Sequence, residues 1–126
     1  VKTRGKTAMM HQNGHKKLNR KESHRRAMIR NQVLHLIEYG YLVTTKARIK
    51  EVQKVAERAV TIARVGNDFN ARRRVHALLP YKPTIALKLF TDVAPRYIQR
   101  AGGYTRVIPL GRRPSDTATI ARLEWV

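Results

Sequence analysis

The chain has no cysteine, little phenylalanine, few acids and no long apolar run. The missing cysteines exclude a disulfide framework and thiolate metal sites, and they fit a reducing compartment. No apolar stretch approaches the roughly 18 residues of a membrane span, so membrane insertion is not expected. With Phe69 and Phe90 as its two phenylalanines, the sequence also lacks the aromatic-rich sheet of a base-reading RNA module. The shortage of acids carries the most weight. Eight Asp and Glu stand against 27 Lys and Arg, a formal net charge of +19 in 126 residues. That is more than solubility requires, and self-repulsion of this size opposes compaction unless a polyanion relieves it. A nucleic acid is the expected partner, recognised through phosphate and shape in preference to base sequence.

A chain of this length fits one core. The first 22 residues hold Lys2, Arg4, Lys6, Lys16, Lys17, Arg20 and Lys21 with Glu22 as the one acid. They have too little apolar surface to offset their ordering entropy, so residues 1–22 are expected to form an extended basic arm that orders against a partner. The opening "VKTRGKTAMMHQNGHKK" is positively charged but has no apolar core behind it, which argues against a secretory signal; an organellar leader remnant is the alternative. Residues 23–126 are expected to form a single α+β domain.

Ser23 is a candidate N-cap for an amphipathic helix with Ile29, Val33, Leu36 and Ile37 on one side, stopped at Gly40. "YLVTT" reads as a strand. Thr45 can cap a second helix with a stripe of Ile49, Val52, Ala56, Ala59, Val60 and Ala63. Asn67 or Asp68 starts a third through "FNARRRVHALL", and Pro83 and Thr84 open a fourth, ended by Pro95. Residues 104 to 110 and "ATIARLEWV" form an expected hairpin around the turn "GRRPSD". Pro109 cannot donate a ladder hydrogen bond, so it belongs at an edge or bulge. The sum is helices packed on a small antiparallel sheet.

The basic residues differ in their surroundings. Lys50, Glu51, Lys54, Glu57 and Arg58 mix both signs opposite the stripe of the second helix, which reads as a solvated face. Arg25, Arg26 and Arg30 of the first helix continue the charge of the arm with no acid expected to pair with them. Phosphate binding explains such a run, because neutralised phosphates release counterions and Arg can grip two oxygens at once. Arg72, Arg73 and Arg74 wrap round a helix and cannot all face one way. Arg100, Arg106, Arg112 and Arg113 surround the hairpin, with Asp116 as their local counter-charge. Gly102 and Gly103 serve either as ordinary turn residues or as a close approach for phosphate. Tyr104 is either a packing residue or a stacking surface for an unpaired base; Phe90, Tyr97 and Trp125 read as core.

Catalysis is not expected. His11 and His15 lie in the arm without a third metal ligand. Ser23 and His24 are sequence neighbours that point to different sides of a helix, and no phosphate-binding loop or dinucleotide fingerprint occurs. No catalytic residue, metal site, cofactor or small-molecule substrate is therefore assigned.

The segments "HKKLNR", "SHRRAMIRN", "VTTKARIKEV", "LFTDVAPRY", "GGYTRVI" and "ATIARLEWV" occur in this order over residues 9 to 126. In that series the chain resembles the seventeenth protein of the bacterial large ribosomal subunit, the L-seventeen family. The resemblance implies a three-stranded antiparallel sheet, a structural role in the large subunit near the polypeptide exit tunnel, and support of subunit assembly and translation. It implies large-subunit ribosomal RNA and neighbouring ribosomal proteins as partners, in the bacterial cytoplasm or, alternatively, an organellar ribosome. Carried onto matching positions, it nominates His11, Lys16, Lys17, Arg20, His24, Arg25, Arg26, Arg30, Lys46, Gly102, Gly103, Tyr104, Thr105 and Arg106 as RNA contacts. Arg72 to Arg74, Arg100, Arg112 and Arg113 are added by charge alone. The family opens Met-Arg-His where this chain has Met9, Met10 and His11 behind eight further residues, so Met9 is one expected start and Val1 the other. The runner-up is a sequence-independent nucleic-acid-binding architectural protein outside the ribosome.

Overall fold

The computed structural model describes residues 21–126. Helix α1 spans Glu22–Tyr39, strand β1 Tyr41–Thr45, α2 Lys46–Ala63, α3 Phe69–Leu78 and α4 Pro83–Lys88, followed by the hairpin of β2 (Thr105–Arg112) and β3 (Thr119–Trp125). This is an α+β fold, with helices on a three-stranded antiparallel sheet in the order β1-β3-β2. Residues 1–20, including most of the expected arm with His11, Lys16, Lys17 and Arg20, lie outside the described residues.

Several element ends follow directly from local chemistry. Gly40 adopts φ +86° and its N–H returns to the Leu36 carbonyl at 2.8 Å, closing α1 where a side chain would be strained. Asp68 caps α3, its carboxylate accepting from the Ala71 N–H at 2.7 Å. Pro83 occupies the first turn of α4, where its missing N–H costs nothing.

Other ends differ from the sequence expectations. Helix α1 begins at Glu22, with Lys21 in the cap position and no side-chain cap, so Ser23 lies inside the helix. A carboxylate in the first turn favours this earlier start through the helix dipole, and Glu22 also pairs with Arg26 at 2.7 Å. Thr45 stands at the N-cap of α2 but makes no side-chain cap hydrogen bond. The fourth helix does not stop at Pro95. It passes from α4 into a π turn at Leu89–Val93 and a 3-10 turn at Ala94–Tyr97, with Pro95 in the opening positions of the last. A proline at the start of a turn removes no intrahelical bond, and the continued winding keeps Leu89, Phe90, Val93, Ala94 and Tyr97 buried.

One core joins these elements. Val33, Leu36 and Ile37 of α1 meet Ile49, Val52, Ala56 and Val60 of α2 and the inward face of the sheet through Leu42, Ala121, Leu123 and Trp125. Ile29, expected in the stripe of α1, is only partly buried, whereas Leu34 is buried. The first buried residue of α1 is Val33, and the turns before it are exposed or half-buried. Phe90, Tyr97 and Trp125 are core residues, and the Trp125 indole N–H donates to the Leu36 carbonyl at 3.2 Å, tying β3 to α1. Pro109 sits on the edge strand β2 at a register shift, with Gly111 at φ +96° beside it. This location leaves the missing N–H of Pro109 harmless.

Candidate nucleic-acid interface

The N-terminal turns of α1 cross α2 so that Arg25, Arg26 and Arg30 share a groove of about 460 Å³ with Lys54 and Arg58. Ile29, Val55 and Leu78 supply its apolar lining, and Glu22 and Glu51 are its two carboxylates. Five cations thus converge against two acids. Two expectations are corrected here. Arg26 does have a nearby acid, Glu22, although both side chains are more than half exposed and an exposed pair of this kind is worth little in water. The mixed-sign face of α2 is not simply solvated, because Glu51 is 4% exposed and stands 3.4 Å from Lys54, and Glu57 is engaged by Thr105. The crossing of α1 and the return of β2 draw in the two glutamates of that face, while Lys50, Lys54 and Arg58 stay exposed. Lys54 and Arg58 were therefore missed as members of the cationic groove; their spacing of four residues on α2, one turn apart, was the available signal.

Arg30 also lies over the Tyr81 ring, 5.9 Å from its centroid. His24 is exposed on α1, and Lys46 is exposed in the first turn of α2, a turn without an acid. A cation there opposes the helix dipole, so its position gains nothing from the helix itself. Together with Lys50 and Thr119 it borders a shallow hollow.

The three consecutive arginines of α3 separate as the helical period requires. Arg72 borders a hollow with His76 and α4, Arg74 faces the side of Arg58 and Ile62 on α2, and Arg73 lies over the Phe69 ring, 5.9 Å from its centroid. All three are exposed, and among the described residues none pairs with a carboxylate.

The Gly-Gly-Tyr-Thr-Arg stretch divides into a surface half and a buried half. Gly102 and Gly103 are exposed, the latter at φ +64° with open space where a side chain would project. Tyr104 is 1% exposed. Its hydroxyl receives Thr61 Oγ1 at 3.3 Å and Arg64 Nη1 at 3.1 Å, and its ring packs 5.3 Å from that of Tyr97. No face is open to a base, so stacking by Tyr104 gives way to the packing alternative. Thr105 is buried as well, its N–H and hydroxyl held by Glu57 and its oxygen receiving Gln53. These two residues position the surface and do not form it. A glycine pair next to a tyrosine and arginines suggests stacking in sequence, but burial of Tyr104 depends on α2, some 40 residues away.

Arg64 clamps the approach to this stretch by donating to the Arg100 carbonyl as well as to Tyr104, and Arg100 Nε donates to the Gly102 carbonyl at 3.0 Å. Arg106 is exposed and pairs with Glu124 at 3.3 Å, which also holds Arg122 at 2.9 Å. At the other end of β2, about 25 Å away for a strand of this length, Arg113 makes a two-point contact with Asp116 at 2.9 and 2.6 Å. The hydrogen bonds from Arg113 and the Ala118 N–H hold the Asp116 carboxyl at about 2, below the usual carboxylate range. Arg112 beside it is exposed, without a carboxylate partner among the described residues. The structure therefore groups Arg25, Arg26 and Arg30, gathers Arg100, Gly102, Gly103 and Arg106 at one end of the hairpin, and leaves Arg112 and Arg113 at its tip.

Among the described residues there is no group of three or more acids and histidines that could hold a metal ion, and no helix is long and apolar enough to cross a membrane. The comparisons with known proteins agree with one another. A family model described as Ribosomal protein L17 matches residues 28–126. A protein of Trichlorobacter lovleyi named large ribosomal subunit protein bL17 is 44% identical over 118 residues, 94% of each chain. The bL17 of Caldanaerobacter subterraneus subsp. tengcongensis is 45% identical over 112 residues, 89% of this chain and 98% of its own. That of Helicobacter pylori strain J99 is 43% identical over 118 residues, 94% of this chain and its whole length.

Proposed function

The chain belongs to the ribosomal protein L17 family, and we propose from that premise that it holds large-subunit ribosomal RNA near the polypeptide exit tunnel and supports assembly of the subunit. As a member of this family it is a structural constituent of the ribosome and not an enzyme. The observation that carries the RNA-binding reading is the groove in which Arg25, Arg26, Arg30, Lys54 and Arg58 meet, among the described residues, two carboxylates.

Against Glu22 and Glu51 the five cations leave an excess of three positive charges in the groove, and their repulsion opposes the helix crossing unless an anion enters. Phosphates of a folded RNA supply that anion at close spacing, and displacement of their counterions drives binding. The basic segment of residues 1–20, with Lys16, Lys17 and Arg20 ahead of α1, continues the same charge along the sequence. In this reading it orders against converging RNA backbones while the domain fixes its point of entry. In the same reading the chain sits near the exit tunnel beside neighbouring ribosomal proteins, in the bacterial cytoplasm, a setting that its bacterial bL17 relatives support. Gly102 and Gly103 offer exposed backbone for close approach of a phosphate, with Arg100 and Arg106 beside them.

Replacing Arg25, Arg26 and Arg30 together by Gln tests the groove. Binding of the full chain to large-subunit ribosomal RNA should weaken, and the slope of log K against log salt should fall by up to about three phosphate equivalents. An unchanged slope would place the phosphate contacts elsewhere.

A further inference from the structure

Phe69, the first residue of α3, leaves 70% of its surface exposed, whereas the other phenylalanine, Phe90, is buried. Helical geometry sets it apart from the core. Ala71 and Val75 are the buried residues of α3, and at about 100° per residue Phe69 points to the opposite side. The ring is not alone there. Arg73, one turn further on, carries its guanidinium carbon 5.9 Å from the ring centroid, and Val65, 74% exposed, precedes it in the connecting turn. Asp68, the residue before it in sequence, is turned back to the Ala71 N–H as the helix cap.

A lone exposed apolar side chain needs no explanation. An exposed aromatic ring with a guanidinium over one face, and no carboxylate partner for that guanidinium among the described residues, is a more specific arrangement. Its surroundings suit a ligand that is planar and aromatic and carries negative charge nearby. An apolar protein segment would satisfy Phe69 and leave Arg73 uncompensated, whereas a nucleotide satisfies both.

We infer that Phe69 and Arg73 form a stacking site for one unpaired nucleobase of the bound RNA, with Phe69 supplying the platform and Arg73 reaching the adjoining phosphate. This rests on the RNA-binding reading and adds base stacking to it, at a position away from the groove of α1. Stacking on an aromatic ring tolerates any base, so the site selects an unstacked nucleotide and not a sequence. The aromatic contact that the Gly-Gly-Tyr stretch appeared to offer at Tyr104 is thereby assigned to a different element.

The test compares the full chain with its F69A, F69L and F69W variants in binding to large-subunit ribosomal RNA at several salt concentrations. Because Phe69 is exposed, the unaltered chain, F69A and F69L should share one near-ultraviolet dichroism signal from the buried Trp125, to which the added indole of F69W contributes its own. Loss of a base stack weakens binding roughly 5- to 150-fold, and this is expected for both F69A and F69L with the salt slope unchanged. F69W should retain wild-type affinity and lose part of its added fluorescence when RNA binds. Wild-type affinity in F69A overturns the stacking site while leaving the RNA-binding reading intact. Wild-type affinity in F69L with weakened F69A also overturns it, since an apolar contact then suffices. Failure of the unaltered chain to bind RNA overturns the wider reading as well.

Discussion

Thr105 donates both its N–H, at 3.2 Å, and its hydroxyl, at 2.8 Å, to the same oxygen of Glu57. The contact spans 48 residues of sequence and fixes the start of β2 to the middle of α2. Removing the carboxylate leaves a partly buried backbone donor unpaired, and an unsatisfied group of this kind costs about 1–3 kcal/mol. Glu57→Ala should therefore lower the unfolding free energy by about 1–3 kcal/mol. Urea denaturation followed by Trp125 fluorescence checks it, and a stability within a few tenths of the wild type would show that the contact is not retained in solution.

Tyr104 separates a packing role from a binding role. Its hydroxyl joins Thr61 and Arg64, while its ring is enclosed beside Tyr97. Tyr104→Phe should cost about 1 kcal/mol of stability, the ordinary worth of a side-chain hydrogen bond, and leave RNA affinity unchanged. Tyr104→Ala should cost about 3–5 kcal/mol through the cavity it opens. A large loss of RNA affinity in the Phe variant, with stability intact, would contradict this assignment.

The tip of the hairpin carries a pH dependence of defined sign. Asp116 is held at about 2 by Arg113 and the Ala118 N–H, below the 3.8 of an unperturbed aspartate. Its contribution to the turn is accordingly complete above about pH 4 and is lost as the pH falls through about 2. Carbon-detected titration of the Asp116 carboxyl should give a midpoint near 2. In Arg113→Gln the midpoint should rise toward the ordinary value. Both groups are exposed, so the effect belongs to the local turn and not to global stability.

The elements were legible in the sequence because their signals are local. The stripe of α2, the stop at Gly40, the cap at Asp68 and the edge position of Pro109 each depend on residues within a turn or two. What escaped depends on contacts between distant segments. The burial of Glu51 follows from α1 crossing α2, and the enclosure of Tyr104 follows from Thr61 and Arg64. The passage from α4 through a π turn to a 3-10 turn follows from the core's demand for Phe90, Val93 and Tyr97. The candidate interface divides in the same way. Charge alone brought out Arg25, Arg26 and Arg30, but the inclusion of Lys54 and Arg58 needed the helix crossing. Phe69 drew attention in sequence only as evidence of how few phenylalanines there are; its exposure comes from its place on α3 opposite Ala71 and Val75.

As proposed, this chain is a stable, RNA-held constituent of the large ribosomal subunit. Sedimentation of a cell lysate through a high-salt sucrose gradient, with mass spectrometry of each fraction, tests it most directly. The chain should travel with the large subunit and its ribosomal RNA. Recovery at the top of the gradient, while other large-subunit proteins remain bound, would contradict the claim and favour a nucleic-acid-binding role outside the ribosome.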